Sequence, residues 1–353
     1  MIGDYNKDIR SLTLIELEKF FTDQKEKTFR AKQVYEWLWK KSCRSFDDMT
    51  NLSKPIRKIL EDHFTFSVLH IEKEYVSRDH TRKSVFRLHD GLMIEGVLIP
   101  EGTRTTACIS SQVGCQLGCT FCATGHFGYK RNLGFTEIFD QVVELNNQSL
   151  LHFNVPLSNI VMMGMGEPLM NYKEVKRVIS MIVAEEGLAM SPQRITLSTV
   201  GIPHMIKKLA DDQLRIHLAI SLHVADNVKR SKIVPLNKKY SLEELKDALK
   251  YYHEKTKKRF TIEYLMFADF NDNMADAHNL AEFCKSFPVK INLIGYNPVM
   301  DLDFKKPLPE KLNAFKEFLE KKNMIVNIRK SRGEDIDAAC GQLALKDKSQ
   351  QKS

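Results

Sequence analysis

The sequence predicts an α/β protein in which a small helical domain and a β-hairpin precede a longer run of alternating strands and helices. Three features carry that prediction. Apolar residues in the first part of the chain recur at helical intervals, His89-Asp90-Gly91 separates two β-favouring runs, and from about residue 105 short β-branched runs alternate with helical patterns.

Thr13-Leu-Ile-Glu16 has the spacing of a capping box, and Leu14, Leu17, Phe20 and Phe21 follow on one helical face. A second helix is expected to hold Val34, Trp37 and Leu38. Basic residues from Lys25 to Lys58 lie among Phe29, Tyr35, Trp37 and Trp39. That mixture reads either as a solvated face over a small core or as an RNA-docking surface.

Residues 83–88 and 92–99 form the expected hairpin. Strands are then expected near 105–110, 160–164, 195–199, 216–222, 260–266 and 290–294, with a helix opened by the capping box Ser241-Leu-Glu-Glu244. Six strands with helices between them imply a parallel βα arrangement, an open sheet or a barrel, and either form turns polar residues at strand C-terminal ends toward a ligand. The chain thus divides into a helical accessory domain (1–75), a connecting hairpin (76–104), a core (105–335) and a C-terminal segment (336–353) that carries Cys340. The tail from Lys346 to Ser353, rich in lysine, glutamine and serine, is expected to be disordered.

Composition narrows the setting. With 353 residues, 43% hydrophobic and 28% charged, the chain can bury a large core, and no apolar run approaches the roughly 20 residues of a membrane-spanning helix. Its start, Met1-Ile-Gly-Asp-Tyr-Asn-Lys-Asp, lacks the layout of a secretory signal, so a cytoplasmic protein is expected. A net charge of +8 is compatible with a nucleic-acid partner. Seven unevenly spaced cysteines do not read as a secreted disulfide framework; they read as metal ligands, reactive thiols and core residues.

Cys115-Gln-Leu-Gly-Cys119-Thr-Phe-Cys122 places three thiols in one short segment after a predicted strand and before a helix that Thr136 is expected to cap. Three protein thiolates leave one iron of a four-iron cube open to a small molecule. A zinc knuckle completed by His126, or a purely structural cluster, is the competing reading.

The Cys-x3-Cys-x2-Cys spacing, with an aromatic before the last cysteine, resembles the radical S-adenosylmethionine (SAM) superfamily signature, and the resemblance implies a partial (β/α)6 barrel. Cys108-Ile-Ser-Ser-Gln-Val-Gly-Cys115, Met163-Gly-Met-Gly-Glu-Pro-Leu169, Thr196-Leu-Ser-Thr199, Ser221-Leu-His223, Tyr296-Asn-Pro298 and Asp335-Ile-Asp-Ala-Ala-Cys340-Gly-Gln-Leu343 are similar to segments of the RlmN-type dual-specificity RNA adenine-C2 methyltransferases. That resemblance spans almost the whole chain. It implies one [4Fe–4S] cluster on Cys115, Cys119 and Cys122, and SAM contacts at Gly166, Glu167, Ser198, Ser221, Leu222, His223 and Asn297. Each contact residue also has an ordinary structural reading, as a strand-end turn, a buried hydroxyl or a turn pair.

Carbon 2 of adenine lies between two ring nitrogens and is too electron-poor to attack the methyl of SAM, so a radical route is needed. The resemblance implies that Cys340 takes a methyl from one SAM, that a second SAM is cleaved, and that a methylene on Cys340 adds to the base. It further implies that Cys108 resolves the adduct by attacking the sulfur of Cys340, leaving a disulfide bond, and that Glu95 accepts the carbon-2 proton. For Cys108 and Cys340 the competing reading is a small buried hydrophobe, and for Glu95 a solvent-facing carboxylate. The implied partners are 23S rRNA and tRNA, with an electron donor such as a flavodoxin system; a monomer is the default, and no membrane partner is expected. Lys130, Arg131, Lys257, Lys258, Arg259 and Arg329 are candidate phosphate contacts. Two rival functions stand beside this one: an adenine-C8 methyltransferase of the same rRNA that confers antibiotic resistance, and a non-catalytic RNA-binding protein with a structural metal.

Overall fold

The computed structural model describes residues 7–300 and 302–345; the expected disordered tail and the residues before Lys7 lie outside the described residues. Ten strands form one sheet: β1 (His70–Val76), β2 (Arg82–Arg87), β3 (Met93–Glu101), β4 (Arg104–Cys108), β5 (Asn159–Met162), β6 (Ile195–Thr199), β7 (His217–Ser221), β8 (Phe260–Met266), β9 (Val289–Gly295) and β10 (Ile325–Arg329). They lie in strict sequence order across the sheet. The first four pair antiparallel, and from β4 onward every neighbour is parallel.

Parallel neighbours need crossovers, and helices supply them. The longest, Phe135–Phe153, links β4 to β5; it begins after Gly134, whose N–H is accepted by Glu137, so Thr136 lies inside the helix and does not cap it. The helix Leu242–Thr256 opens with the expected Ser241–Glu244 capping box, and Thr13–Glu16 caps Leu14–Asp23 in the same way.

The sheet departs from the six-strand expectation at both ends. Ile325–Arg329 adds a seventh parallel strand, and the hairpin, extended by His70–Val76, continues the same sheet. Because β1 and β10 do not pair, the barrel is partial; the C-terminal segment spans the opening. Asp335 accepts from Ser77 Oγ at 2.5 Å and from the Arg78 amide at 3.1 Å, and Lys83 Nζ donates to the Asp337 carbonyl at 3.2 Å. The chain beyond β10 is thereby strapped back onto β2 and the turn that precedes it.

The N-terminal helices Leu14–Asp23, Phe29–Trp39 and Lys54–His63 form a small module against the Phe135–Phe153 helix. Trp39 packs there on Phe135 and Phe139, with ring centroids 4.9 and 5.2 Å apart. Buried Arg10 ties the module to Asp140 of that helix at 2.5 Å, and also holds Asp8. Removing one partner of such a buried pair strands the other charge, so the contact fixes one docking arrangement.

Candidate active site

The site lies at the C-terminal ends of the parallel strands, where the backbone leaves the sheet and side chains converge. A cavity there, about 980 Å3 and open to solvent, is lined by Cys115, Cys119, Cys122, Gly166, Glu167, Ser198, Ser221, His223, Glu263, Arg329 and Cys340. A second, of about 1280 Å3, is lined by Cys108, Cys340, Arg329, Lys330, Arg332, Glu101 and their neighbours. Cys340 and Arg329 belong to both, so they form part of the wall between them.

The three cysteines stand on the loop that follows β4. Burial pushes all three thiols up, that of Cys115 to about 12; charge on the other loop cysteines adds to it for Cys115 and Cys119, and charge on Cys340 for Cys122. Among the described residues, no group of three or more His, Cys, Asp or Glu side chains converges on a single-ion site. His126 Nε2 is within 3.0 Å of the Thr120 carbonyl. Three thiols lining one cavity form a donor set that fits a multi-iron cluster, in which each cysteine binds a different iron and one iron is left for a small molecule.

Gly166 has φ of +99°, and a Cβ there would stand 2.6 Å from the Cβ of Gln112, so only glycine fits. Glu167 accepts from the amides of Leu169 and Val200, each at 3.0 Å, and burial lifts its carboxyl to about 7. Ser198 and Ser221 face each other with Oγ atoms 3.2 Å apart. His223 occupies the left-handed region at φ 60°, its Nδ1 accepts from the Leu265 amide at 3.2 Å, and its ring meets Phe121 edge-on. Burial pushes its pKa down to about 3, so the ring is a neutral acceptor that ties the cysteine loop to β8.

Two of the expected cofactor contacts do not line the cavity. Leu222 is fully buried, and its carbonyl accepts from Arg230 Nε. Asn297 lies behind Cys340, donating from Nδ2 to the Cys340 carbonyl at 3.3 Å, while its Oδ1 has no hydrogen-bond partner.

Glu95 lies outside both cavities and is 2% exposed. Its carboxylate meets Lys83 Nζ at 3.2 Å and the Ala344 amide at 2.9 Å, so it is clamped against the segment that carries Cys340. Its place on β3 puts it two residues from Val97, the register partner of Cys108, and therefore on the same sheet face as that thiol. All seven cysteines are free thiols, so Cys108 and Cys340 are not joined by a disulfide here.

The basic candidates separate. Arg131 is occupied by Glu137 and Asp90 at 2.7–2.8 Å. Lys257, Lys258 and Arg259 precede β8 and so lie at the opposite end of the sheet from the site. Lys130 is exposed beside the cysteine loop, and Arg329 reaches the site itself. Glu263 was absent from the sequence reading, although an acidic residue at the centre of the apolar run Phe260–Met266 was a visible signal.

Comparison with known proteins agrees with this geometry. A family model described as the ribosomal RNA large subunit methyltransferase N-terminal domain matches residues 7–66, and one described as the radical SAM superfamily matches 109–284. The chain is 52% identical over 345 residues to a probable dual-specificity RNA methyltransferase RlmN of Christiangramia forsetii, covering 98% of each chain. It is 43% identical to the protein of the same name in Thermotoga neapolitana, covering 97% of this chain and 98% of that one. Among solved structures, a radical SAM methyltransferase from Sphaerobacter thermophilus superposes with a TM-score of 0.90 at 38% identity, over 96% of this chain and 99% of that one. Among the described residues no helix is long and apolar enough to cross a membrane.

Proposed function

Because this chain belongs to the RlmN family of dual-specificity RNA methyltransferases, within the radical SAM superfamily, we propose that it methylates carbon 2 of a specific adenosine in 23S rRNA and in tRNA through a methyl group carried on Cys340. The observation that carries this reading is the position of Cys340 in the wall shared by two cavities, one lined by the three loop cysteines and the other by Cys108. A methyl carrier must face its donor on one side and its acceptor on the other.

Cys115, Cys119 and Cys122 would hold the [4Fe–4S] cluster, and Gly166, Glu167, Ser198, Ser221 and His223 line the place for SAM, with Leu222 and Asn297 acting from behind it. When bound, these groups supply the methyl and the hydrogen-abstracting radical. Each turnover consumes two SAM molecules. The chain's own residues then act in order. The Cys340 sulfur accepts the methyl and presents it as a methylene to the base, forming a carbon–carbon bond to carbon 2. The resemblance assigns the carbon-2 proton to Glu95, and the unpaired electron left on the base by the addition would pass to the oxidised cluster, which restores the aromatic ring. Cys108 attacks the Cys340 sulfur, the sulfur–carbon bond breaks toward the base, the freed methylene carbon takes a proton to become the methyl group, and a Cys108–Cys340 disulfide remains for external reduction. A base unstacked from its helix enters through the Cys108 cavity, whose Arg329, Lys330 and Arg332 suit the adjoining phosphates. The division at residues 75, 104 and 335 is part of the same proposal, as are a flavodoxin-like electron donor and a monomeric state.

Nucleoside mass spectrometry of RNA treated anaerobically with reconstituted enzyme, reductant and SAM tests the reading. We expect 2-methyladenosine; 8-methyladenosine would move the chain to the C8 branch, from which the segment Arg329–Cys340 separates it by resemblance.

Glu95 gives a pH-dependent test. Burial raises its carboxyl above the ordinary range, against the opposing pull of Lys83, and only the ionised form accepts a proton. The single-turnover rate of base methylation should therefore rise with pH through that raised pKa. Glu95→Gln should slow this step about 10²- to 10⁴-fold and remove the rising limb. Methylation of Cys340, which does not involve the carbon-2 proton, should survive; a variant that keeps the pH limb would remove Glu95 from the mechanism.

A further inference from the structure

Glu263 sits midway along β8, where the register pairs it with Ser221 on one side and Asn292 on the other. Residues paired this way project to one face of a sheet, and Ser221 and Glu263 line the first cavity together. The Glu263 side chain is only 7% exposed. Its Oε1 accepts from Asn292 Nδ2 at 2.9 Å, which fixes the carboxylate plane. Its Oε2 has no hydrogen-bond partner; Arg329 Nη1 stands 3.9 Å away, beyond hydrogen-bond reach. Leaving a buried carboxylate oxygen without a donor is costly, and native structures retain such an atom where a ligand or water supplies one.

The rest of the cavity narrows the donor. Glu167, the other carboxylate on its wall, is already engaged by the Leu169 and Val200 amides. Beside Glu263 stand the hydroxyls of Ser198 and Ser221. A carboxylate next to hydroxyls, inside a cavity for a nucleoside cofactor, matches a ribose: its hydroxyls donate, and a carboxylate accepts from them in dinucleotide-binding folds for the same reason. Glu263 shares its cavity with the three loop cysteines and not with Cys108, which places the ribose on the cofactor side. We propose that Glu263 Oε2 accepts a hydrogen bond from a ribose hydroxyl of SAM, with Asn292 as the positioning residue. The assignment rests on SAM as cofactor and is independent of which RNA atom is methylated.

Equilibrium binding to cluster-reconstituted protein without reductant provides the test, using SAM, 2′-deoxy-SAM and 3′-deoxy-SAM. Wild type should bind at least one deoxy analogue about 10- to 100-fold more weakly than SAM. Glu263→Ala should bind SAM as weakly as that analogue and lose the discrimination, with unchanged iron content and melting temperature. Glu263→Gln, which keeps the shape with a neutral acceptor, should fall between. Should Glu263→Ala fail to fold, Asn292→Ala leaves the carboxylate in place but loosened, and a partial loss of discrimination is expected. The assignment fails if wild type binds all three ligands equally, or if the variants retain the wild-type ratio. An equal weakening of all three would also overturn it, placing the effect of Glu263 in its pairing with Arg329.

Discussion

Replacing Cys340 by alanine is expected to abolish base methylation, by at least about 10⁴-fold, while leaving the cluster and SAM binding intact. The separation of effects follows from how the segment is held. Ala123 N donates to the Gly341 carbonyl at 2.8 Å, Thr124 Oγ1 to the Leu343 carbonyl at 2.6 Å, and Gln342 Nε2 to the Pro298 carbonyl at 2.8 Å. Asn297 holds the Cys340 carbonyl. None of these contacts uses the thiol, so alanine keeps the strap in place and removes only the nucleophile. Iron content and SAM binding should match wild type, and nucleoside mass spectrometry should find no methylated adenosine. A Cys340→Ala protein that still methylates the base would leave a radical SAM enzyme but end the methyl-cysteine route.

Much of this site is legible in the sequence because its parts are local. The cysteine loop is eight residues long, and its ligand spacing survives whatever the fold does around it. The six strands from 105 to 295 are also legible, since buried parallel strands are continuous β-branched runs bounded by helical patterns. The two edge additions are not. In His70–Val76 most side chains are exposed, so no alternation marks it, and in Ile325–Arg329 only Val326 is buried. Both are strands because a neighbour pairs with them, which is a tertiary fact. The same limit governs the charged residues. Lys257, Lys258, Arg259 and Arg329 look alike as basic residues in a chain, yet strand direction sends the first three to the far end and brings Arg329 beside Cys340 and Cys108. Glu95 shows the converse: its sequence context favours a solvent-facing carboxylate, yet it is buried, held by Lys83 and by the Ala344 amide, the latter 249 residues away.

The second large effect belongs to Cys108. Cys108→Ala should stop the enzyme after one event per protein, with RNA covalently attached. Cys108 ends β4, is 8% exposed, and lines the cavity that Cys340 enters from the other side. Burial first, and the neighbouring Cys340 second, push its thiol up to about 12, against the opposing pull of Arg329. A thiol so placed is inert at rest and attacks as the thiolate; in the adduct the alkylated Cys340 sulfur carries no charge, so burial alone holds the thiol up, and release should quicken as pH rises. Losing one sulfur from a site this small costs on the order of 1 kcal/mol of stability, which leaves the fold intact. Anaerobic reaction of Cys108→Ala with RNA should therefore give a protein band retarded in a denaturing gel, one RNA per chain, collapsed by ribonuclease and unchanged by thiol reductant. The double variant Cys108→Ala, Cys340→Ala should give no such band, because the carbon link to the base forms through Cys340. A retarded band in the double variant would place the attachment on another residue, and a Cys108→Ala enzyme that turns over at the wild-type rate would assign resolution to a different thiol or to solvent.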